Sequence, residues 1–170
     1  MEKIIFVDVD GPLINTPCYF VDTMASIERK VFNTQSLGYL IELARVAAAK
    51  IVTNSTHNNF EVHRGEVDFT LKDDMVRWGV PEEFFHSDWR TTYPYPPESK
   101  FSSSSAQRRL YAISLWQEKN GNVDWIAFDD DIFTTDPRLI PIDFLKGIDY
   151  DAYHKARSFW NITTKEKIIL

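Results

Sequence analysis

The chain has 170 residues, of which 44% are hydrophobic, 14% aromatic and 26% charged, and its formal net charge at pH 7 is −6. This length suits one domain, residues 1–170, with a sizeable core. The negative charge argues against a general nucleic-acid-binding role, because such proteins usually carry a positive surface. It leaves room for a local basic pocket in an acidic protein.

The composition also predicts the compartment. No apolar run approaches the roughly 18 residues that span a bilayer, and the N-terminal residues lack the pattern of a secretory leader. The chain contains one cysteine, Cys18, so that no internal disulfide can form, which is typical of a reducing compartment. We therefore expect a cytoplasmic protein without membrane contact.

Strand and helix patterns alternate along the first third of the chain. Residues 3–9 (KIIFVDV) are apolar and β-branched, and predict a strand that is buried on both faces. The stretch from about residue 22 to residue 49 is mostly helical, with apolar residues at helical spacing and Ser36 as a candidate cap. Residues 49–55 (AKIVTNS) predict a short second strand that ends in small polar residues.

The middle of the chain has a weaker pattern. Residues 71–80 (LKDDMVRWGV) predict a helix, and a short third strand is expected within residues 82–88 (EEFFHSD). Residues 89–100 predict a loop, because their three prolines are incompatible with a helix or a strand ladder. A helix follows from about residue 102, with serine hydroxyls at its start and Gly121 at its end.

The last third completes an alternating arrangement. Residues 123–131 (VDWIAFDDD) predict a strand that ends in three acids, residues 138–143 a weak fifth strand, and residues 149–160 a final helix. Strands that alternate with helices are typical of a mostly parallel sheet with helices on both faces. We therefore predict an α/β fold with five strands.

Polar side chains follow three of the predicted strands, at the point where each strand ends. In an open α/β sheet, ligands bind at the carboxyl ends of the strands, so we expect these side chains to lie at one edge. They are Asp8 and Asp10 after the first strand, Thr53, Asn54 and Ser55 after the second, and Asp129, Asp130 and Asp131 after the fourth.

This combination favours metal-assisted phosphoryl transfer. Several carboxylates at one edge repel each other unless a cation lies between them, and Mg²⁺ prefers oxygen ligands with one or two carboxylates. One carboxylate can then act as the nucleophile on phosphorus. The hydroxyl of Thr53 and nearby backbone N–H groups would hold phosphate oxygens, and a lysine would complete the neutralisation of charge.

The order of the motifs "DVDG", "VTNS", a lysine before a helix, and "FDDD" resembles the haloacid dehalogenase (HAD) superfamily of phosphatases and phosphotransferases. The resemblance covers nearly the whole chain and implies a three-layer Rossmannoid fold. The gaps between the motifs leave no room for a large cap domain. The segment from residue 138 to residue 160 also loosely resembles HAD domains of nucleic-acid repair proteins.

The resemblance implies a role for each motif. Asp8 would be the nucleophile, and Asp10 the general acid and base, with its backbone carbonyl on Mg²⁺. Thr53 matches the second motif. Asp129 and Asp130 match the paired acids of the fourth motif, although the triple acid leaves the register open by one residue. The predicted metal ligands are Asp8, Asp10, Asp129 and Asp130; the predicted phosphate contacts are Asp10, Gly11, Thr53, Asn54, Ser55 and Lys100.

The third motif and the turn after Asp10 match the family less well. Lys100 lies just before the predicted helix that leads into the fourth-motif strand, where the family has its lysine. Lys72 and Arg108 are alternatives. Pro12 stands where the family pattern has a non-proline residue, and it removes one backbone N–H from the turn.

We therefore expect a Mg²⁺-dependent HAD-type phosphomonoester hydrolase that acts on a nucleotide or a nucleic-acid end. Aromatic residues between 89 and 97 are either core residues or a platform for a base. Other small phosphoesters and phosphoproteins remain possible substrates, and a catalytically silent HAD fold that binds a ligand is the alternative function. A receiver-like signalling module is disfavoured. Receivers have their acid pair early and a lone phospho-accepting aspartate mid-chain, whereas in this chain the large acid cluster comes late and no lone acid ends a clear middle strand.

Overall fold

The computed structural model describes residues 1–15, 18, 31–55, 70–92, 105–131 and 135–163. Within these ranges, five strands form one parallel sheet in the order β3-β2-β1-β4-β5. The strands are β1 (Lys3–Val7), β2 (Lys50–Thr53), β3 (Phe85–Arg90), β4 (Asp124–Asp129) and β5 (Leu139–Pro141). The helices are α1 (Thr34–Ala47), α2 (Leu71–Arg77), α3 (Ser105–Asn120) and α4 (Tyr150–Phe159). The predicted α/β class with a parallel five-stranded sheet is confirmed, and the small size leaves no room for a large cap domain.

β1 lies at the centre of the sheet, and its pairing fixes which residues of β2 and β4 lie beside its last residue. Val7 pairs with Thr53 of β2 on one side and with Phe128 of β4 on the other. The residues that follow these three positions along the chain therefore start at the same edge of the sheet.

The two faces of the sheet are covered by different helices. A large buried cluster packs α1, α2 and α4 against one face, and a smaller one packs α3 against the other. In the smaller cluster, the ring of Phe6 meets Trp116 of α3 and Trp125 of β4 edge to face, with centroids 5.3 and 5.8 Å apart. These contacts fix α3 across β1 and β4.

α1 covers the later part of the stretch from about residue 22 to residue 49 that was predicted as mostly helical. Residues 31–33 are not helical, and residues 19–30 lie outside the described ranges. Asn33 is the N-cap, since its side-chain oxygen accepts from the backbone N–H of Ser36 at 3.0 Å. The prediction of Ser36 as the cap was wrong: this residue is buried inside the first turn, and its hydroxyl donates to the carbonyl oxygen of Ile148.

β3 extends further than predicted. Trp89 and Arg90 belong to the strand, not to a loop, because the pairing with β2 continues until the N–H of Thr91 donates to the carbonyl of Thr53 at 2.9 Å. Trp89 packs partly against the larger core cluster. Residues 93–100, which include Lys100 and most of the predicted aromatic loop, lie outside the described residues.

Across the described ranges, no helix combines the length and apolar character needed to cross a bilayer.

Candidate active site

Asp8 follows β1 directly and is almost completely buried, with 1% of its surface exposed. Its backbone N–H donates to the carbonyl of Phe128 at 3.0 Å, which continues the pairing of β1 with β4. Its Oδ1 accepts from the backbone N–H of Val9 at 2.8 Å. The surrounding backbone therefore holds the carboxylate at the carboxyl edge of the sheet.

A tight turn follows Asp8, and it requires glycine at position 11. Gly11 has a φ of 83°, in the left-handed region, and its N–H donates to the carbonyl of Ile14 at 2.9 Å. A Cβ on Gly11 would lie 2.6 Å from Cγ of Asp130, which is closer than carbon atoms approach without a bond. Asp10 is half-buried in the same turn and bridges to Ile14.

Pro12, the residue that departs from the family pattern, contacts the loop after β5. Its carbonyl oxygen accepts from the N–H of Ile148 at 3.1 Å. Gly147 lies so near that a Cβ there would be 3.0 Å from the same oxygen. Position 12 thus contributes a carbonyl to the contact with this loop, and proline can do so because it has no backbone N–H that would need a partner.

Three carboxylates converge next to this turn. Asp8, Asp129 and Asp130 each offer an oxygen, and these atoms lie within 4.8 Å of one another. Asp129 ends β4 and is 1% exposed, and its Oδ1 accepts from the N–H of Asp131 at 2.9 Å. The Oδ1 of Asp130 is buried and has no hydrogen-bond partner in the described part of the chain.

Arg109 of α3 brings a positive charge into contact with this cluster. One guanidinium nitrogen, Nη1, contacts Oδ2 of Asp8 and lies 2.8 Å from Oδ2 of Asp129. The other, Nη2, lies 3.6 Å from the carboxylate of Asp131. Arg109 is itself 7% exposed, so it is a buried cation between buried acids.

Burial raises the pKa of every carboxylate in the cluster. It raises the pKa of Asp8 from 3.8 to about 8 and that of Asp129 to about 6, although the charge of Arg109 acts in the opposite direction on both. Burial also raises the pKa of Asp130. One guanidinium therefore does not compensate three ionised carboxylates, and the site favours a further cation.

The residues present fit a hard divalent cation. The donor set consists of carboxylate oxygens, which Mg²⁺ prefers, and the three oxygens are close enough to share one ion. The buried Oδ1 of Asp130 has no hydrogen-bond partner among the described residues, and a bound cation would satisfy it. When all three acids are ionised, two negative charges remain beyond the charge of Arg109, which matches a divalent ion.

The last residue of β2 and the two residues that follow it are buried at the same edge of the sheet as Asp8. Thr53, Asn54 and Ser55 are each 0–1% exposed, and the hydroxyl of Thr53 lies 3.4 Å from the carbonyl of Trp89. The N–H of Asn54 donates to the carbonyl of Val7 at 2.8 Å. The strand pairing therefore brings the second motif next to the first, while direct contacts of these residues with phosphate remain predictions.

The candidates for the third motif lie in different places. Lys72 pairs with Glu82 at 2.9 Å and lies 5.7 Å from the ring of Phe85, at the amino end of β3 and so at the opposite edge of the sheet. Arg108 is exposed, and Lys100 lies outside the described residues. Arg109, which the sequence interpretation missed, contacts the acids.

The signal that identifies Arg109 is the buried face of α3. Ala112, Ile113 and Trp116 are each at most 3% exposed, and they lie three, four and seven residues after Arg109. These are the positions that share one side of a helix with it. Arg108 is rotated away by one residue and faces solvent.

The fold and the site together define a domain of the HAD superfamily. The sequence profile of the family described as "HAD domain in Swiss Army Knife RNA repair proteins" matches residues 4–151, which is most of the chain. The chain belongs to this family, and the predicted relation to nucleic-acid repair proteins is confirmed. Membership indicates a hydrolase of the HAD type. No curated protein and no solved structure matches the chain.

Proposed function

We propose that this protein is a Mg²⁺-dependent phosphatase that hydrolyses a phosphomonoester through an aspartyl-phosphate on Asp8. The observation that carries the proposal is the meeting of Asp8, Asp129 and Asp130 with the Arg109 guanidinium at one edge of the sheet. A nucleophilic carboxylate beside preorganised positive charge is the arrangement that phosphoryl transfer to an aspartate needs.

Asp8 and Asp10 divide the chemistry in this proposal. A carboxylate oxygen of Asp8 bonds to phosphorus while the bond from phosphorus to the leaving oxygen breaks, and Asp10 donates the proton that the leaving oxygen requires. Asp10 then accepts a proton from a water molecule. The oxygen of that water attacks phosphorus, which releases inorganic phosphate and restores the Asp8 carboxylate.

The other site residues hold charge and phosphate oxygens. Asp8, Asp129 and Asp130 would hold Mg²⁺ together with the backbone carbonyl of Asp10. When bound, Mg²⁺ supplies positive charge that stabilises the ionised acids and the phosphoryl oxygens. Arg109 keeps the Asp8 carboxylate in position and compensates part of its charge throughout.

Phosphate contacts are proposed from the strand ends and the third motif. The hydroxyl of Thr53 and the polar groups of Ser55 are buried at the edge next to Asp8. We also propose Lys100 as a second cation that contacts the phosphate, because it lies shortly before α3 in the sequence.

The substrate class favoured is a phosphorylated nucleic-acid end. The family is described by its occurrence in RNA repair proteins, and a domain without a large cap leaves the site open to a bulky substrate. The acidic chain, with a net charge of −6, favours contact with a chain end over contact along a long duplex.

The test is turnover with Mg²⁺ of p-nitrophenyl phosphate, nucleoside monophosphates, and RNA oligonucleotides phosphorylated at the 5′ or the 3′ end. We expect Asp8→Asn and Asp10→Asn to lose at least about a thousandfold in kcat, and a phosphate adduct on the peptide that contains Asp8 after acid quenching. Asp124→Asn, at the amino end of the strand that carries Asp129, is the matched control and should retain turnover.

Three results would change the proposal. Full activity of Asp8→Asn would exclude the aspartyl-phosphate. A preference for small phosphoesters or a phosphoprotein over RNA ends would show that the substrate is not a nucleic-acid end. Absence of turnover with every phosphoester, together with binding of one of them, would favour a catalytically silent binding module.

A further inference from the structure

Thr91 lies at the edge of the site, although no sequence motif points to it. It directly follows β3 and is 1% exposed. Its backbone N–H donates to the carbonyl of Thr53 at 2.9 Å, so that it continues the strand pairing by one residue. Its hydroxyl lies 2.8 Å from Oδ1 of Asn54 and 3.4 Å from the carbonyl of Thr53.

The carbonyl of Arg109 sets the orientation of the Asn54 side-chain amide, and the hydroxyl of Thr91 donates to the amide oxygen in that orientation. Oδ1 accepts from Thr91, and Nδ2 points to the other side, where it lies 3.5 Å from the backbone carbonyl of Arg109. The reverse orientation would place the amide oxygen against that carbonyl, and two acceptors repel. Asn54 is 1% exposed, so water cannot readily replace either contact.

Asn54 therefore connects the strand ends to the residue that holds the acids. The same Arg109 whose backbone carbonyl faces Asn54 directs its guanidinium to Asp8 and Asp129. The far end of α3 is held separately by Asp88. Its backbone carbonyl accepts from Trp116 at 2.8 Å, and its carboxylate accepts from Lys119 and Asn120 at 2.9 and 2.8 Å.

We propose that Thr91 and Asn54 are positioning residues, which hold the first turns of α3 so that the Arg109 guanidinium stays between Asp8 and Asp129. The inference rests on the proposed phosphatase activity and deepens it. It gives Asn54 a role different from a phosphate contact, since its side-chain amide is engaged by protein groups on both sides. A displacement of about 1 Å in such a site lowers a rate by as much as a hundredfold.

The first measurement compares Thr91→Val with Thr91→Ser. Valine keeps the shape of threonine but removes the hydroxyl, whereas serine keeps the hydroxyl and loses a methyl group. We expect Thr91→Val to lower kcat about tenfold while KM changes by less than about twofold, and Thr91→Ser to restore most of the rate. Thr91→Ala removes the same hydroxyl without adding a methyl group, and replaces Thr91→Val if the valine variant does not fold.

The second measurement is a double-mutant cycle with Asn54→Ala. If Thr91 acts through the amide of Asn54, the loss caused by Thr91→Val should shrink to less than about twofold in the Asn54→Ala background. If Thr91 served only as a packing residue, its effect on kcat would be the same in both backgrounds, and the inference would be overturned.

A matched control separates positioning from stability. Thr70→Val makes the same chemical change at the N-cap of α2, where the hydroxyl accepts from the N–H of Asp73. We expect this variant to lower the Tm without changing kcat. If the wild type is active and both Thr91→Val and Thr91→Ser have the same kcat as the wild type, this inference is overturned and the proposed function is not. A wild type without turnover would overturn the proposed function and this inference with it.

Discussion

The carboxyl ends of β1 and β4 and the amino end of β5 differ in how their charged side chains are solvated. At the carboxyl end, Asp8, Asp129 and Arg109 are each at most 7% exposed. At the amino end of β5, which begins level with Ala127 of β4, the side chains of Arg138 and Asp136 pair at 2.6 Å and are 43% and 29% exposed. Water solvates the second group but not the first, so the same residue types have different energies.

The pKa shifts follow the same division. Burial raises the pKa of Asp8 to about 8, whereas the hydrogen bonds from Arg138 lower the pKa of Asp136. Among the described residues, the carboxylates with raised pKa values thus lie at the end where a metal and a phosphate would bind.

The largest expected effect comes from removing the buried cation. Arg109→Leu leaves Asp8 and Asp129 facing each other in the interior, and breaking such a buried pair costs about 3–5 kcal/mol of unfolding free energy. Arg138→Leu removes a surface pair and should cost about 1 kcal/mol or less. Urea unfolding of both variants in EDTA provides the comparison, and equal losses would contradict the distinction between the two ends.

A second experiment uses glycine as the probe. In Gly11→Ala the new methyl group meets the Asp130 side chain at 2.6 Å, and we expect Mg²⁺ affinity to fall by about tenfold or more, as for changes next to metal ligands. Gly38→Ala is the control. Gly38 lies inside α1 with no atom within 4 Å of the added group, so this change should stabilise the protein by about 0.5–1 kcal/mol.

Calorimetric Mg²⁺ titration and thermal unfolding distinguish the two glycine variants. Unchanged Mg²⁺ affinity in a folded Gly11→Ala protein would show that Asp130 is not a ligand.

The pH dependence of stability should differ in sign between the two ends. The folded pKa values of Asp8 and Asp129 are raised above 3.8. Between about pH 4 and pH 8 the folded protein therefore binds more protons than the unfolded chain, and the free energy of unfolding falls as pH rises. For Asp136 the folded pKa is lowered, so its contribution is present above pH 4 and is lost as the pH falls below that.

Urea unfolding in EDTA across this pH range measures the slope. Asp8→Asn should flatten it, and saturating Mg²⁺ should do the same, because the ion binds the ionised carboxylates. A metal-free protein whose stability rises steadily from about pH 5 to pH 8 would argue against the buried acids having raised pKa values.

The smallest effect is expected far from either group of acids. Glu42 and Arg45 pair at 2.5 Å on the outer side of α1, with side chains 43% and 60% exposed. Glu42→Gln should change the free energy of unfolding by less than about 0.5 kcal/mol. A Tm shift larger than a few degrees would show that exposed pairs in this fold contribute more than usual.

The strand ends were predictable because two simple patterns coincide there. Apolar, β-branched runs mark β1 and β4, and the first acids after each run stand where the chain leaves the sheet. Parallel pairing then brings Asp8 and Asp129 together without any knowledge of side-chain packing. The same reasoning placed Thr53 at the neighbouring strand end.

Arg109 and Thr91 were not predicted, for two physical reasons. Two adjacent arginines differ by about 100° around a helix, and the choice between them depends on which side of α3 packs on the sheet. Thr91 follows a strand whose last residues precede a proline-rich stretch, so sequence patterns favoured a loop from Trp89 onward. Both positions depend on long-range packing, which local propensity does not describe.

The contact between Pro12 and the loop after β5 has a consequence for folding order. The carbonyl of Pro12 is bonded by the N–H of Ile148, and Gly147 approaches it closely. Contacts between distant parts of a chain form late, because closing a long loop costs entropy before the contact stabilises anything. During synthesis, the turn after Asp8 leaves the ribosome first, yet it gains this contact only after residue 148 has emerged and folded back.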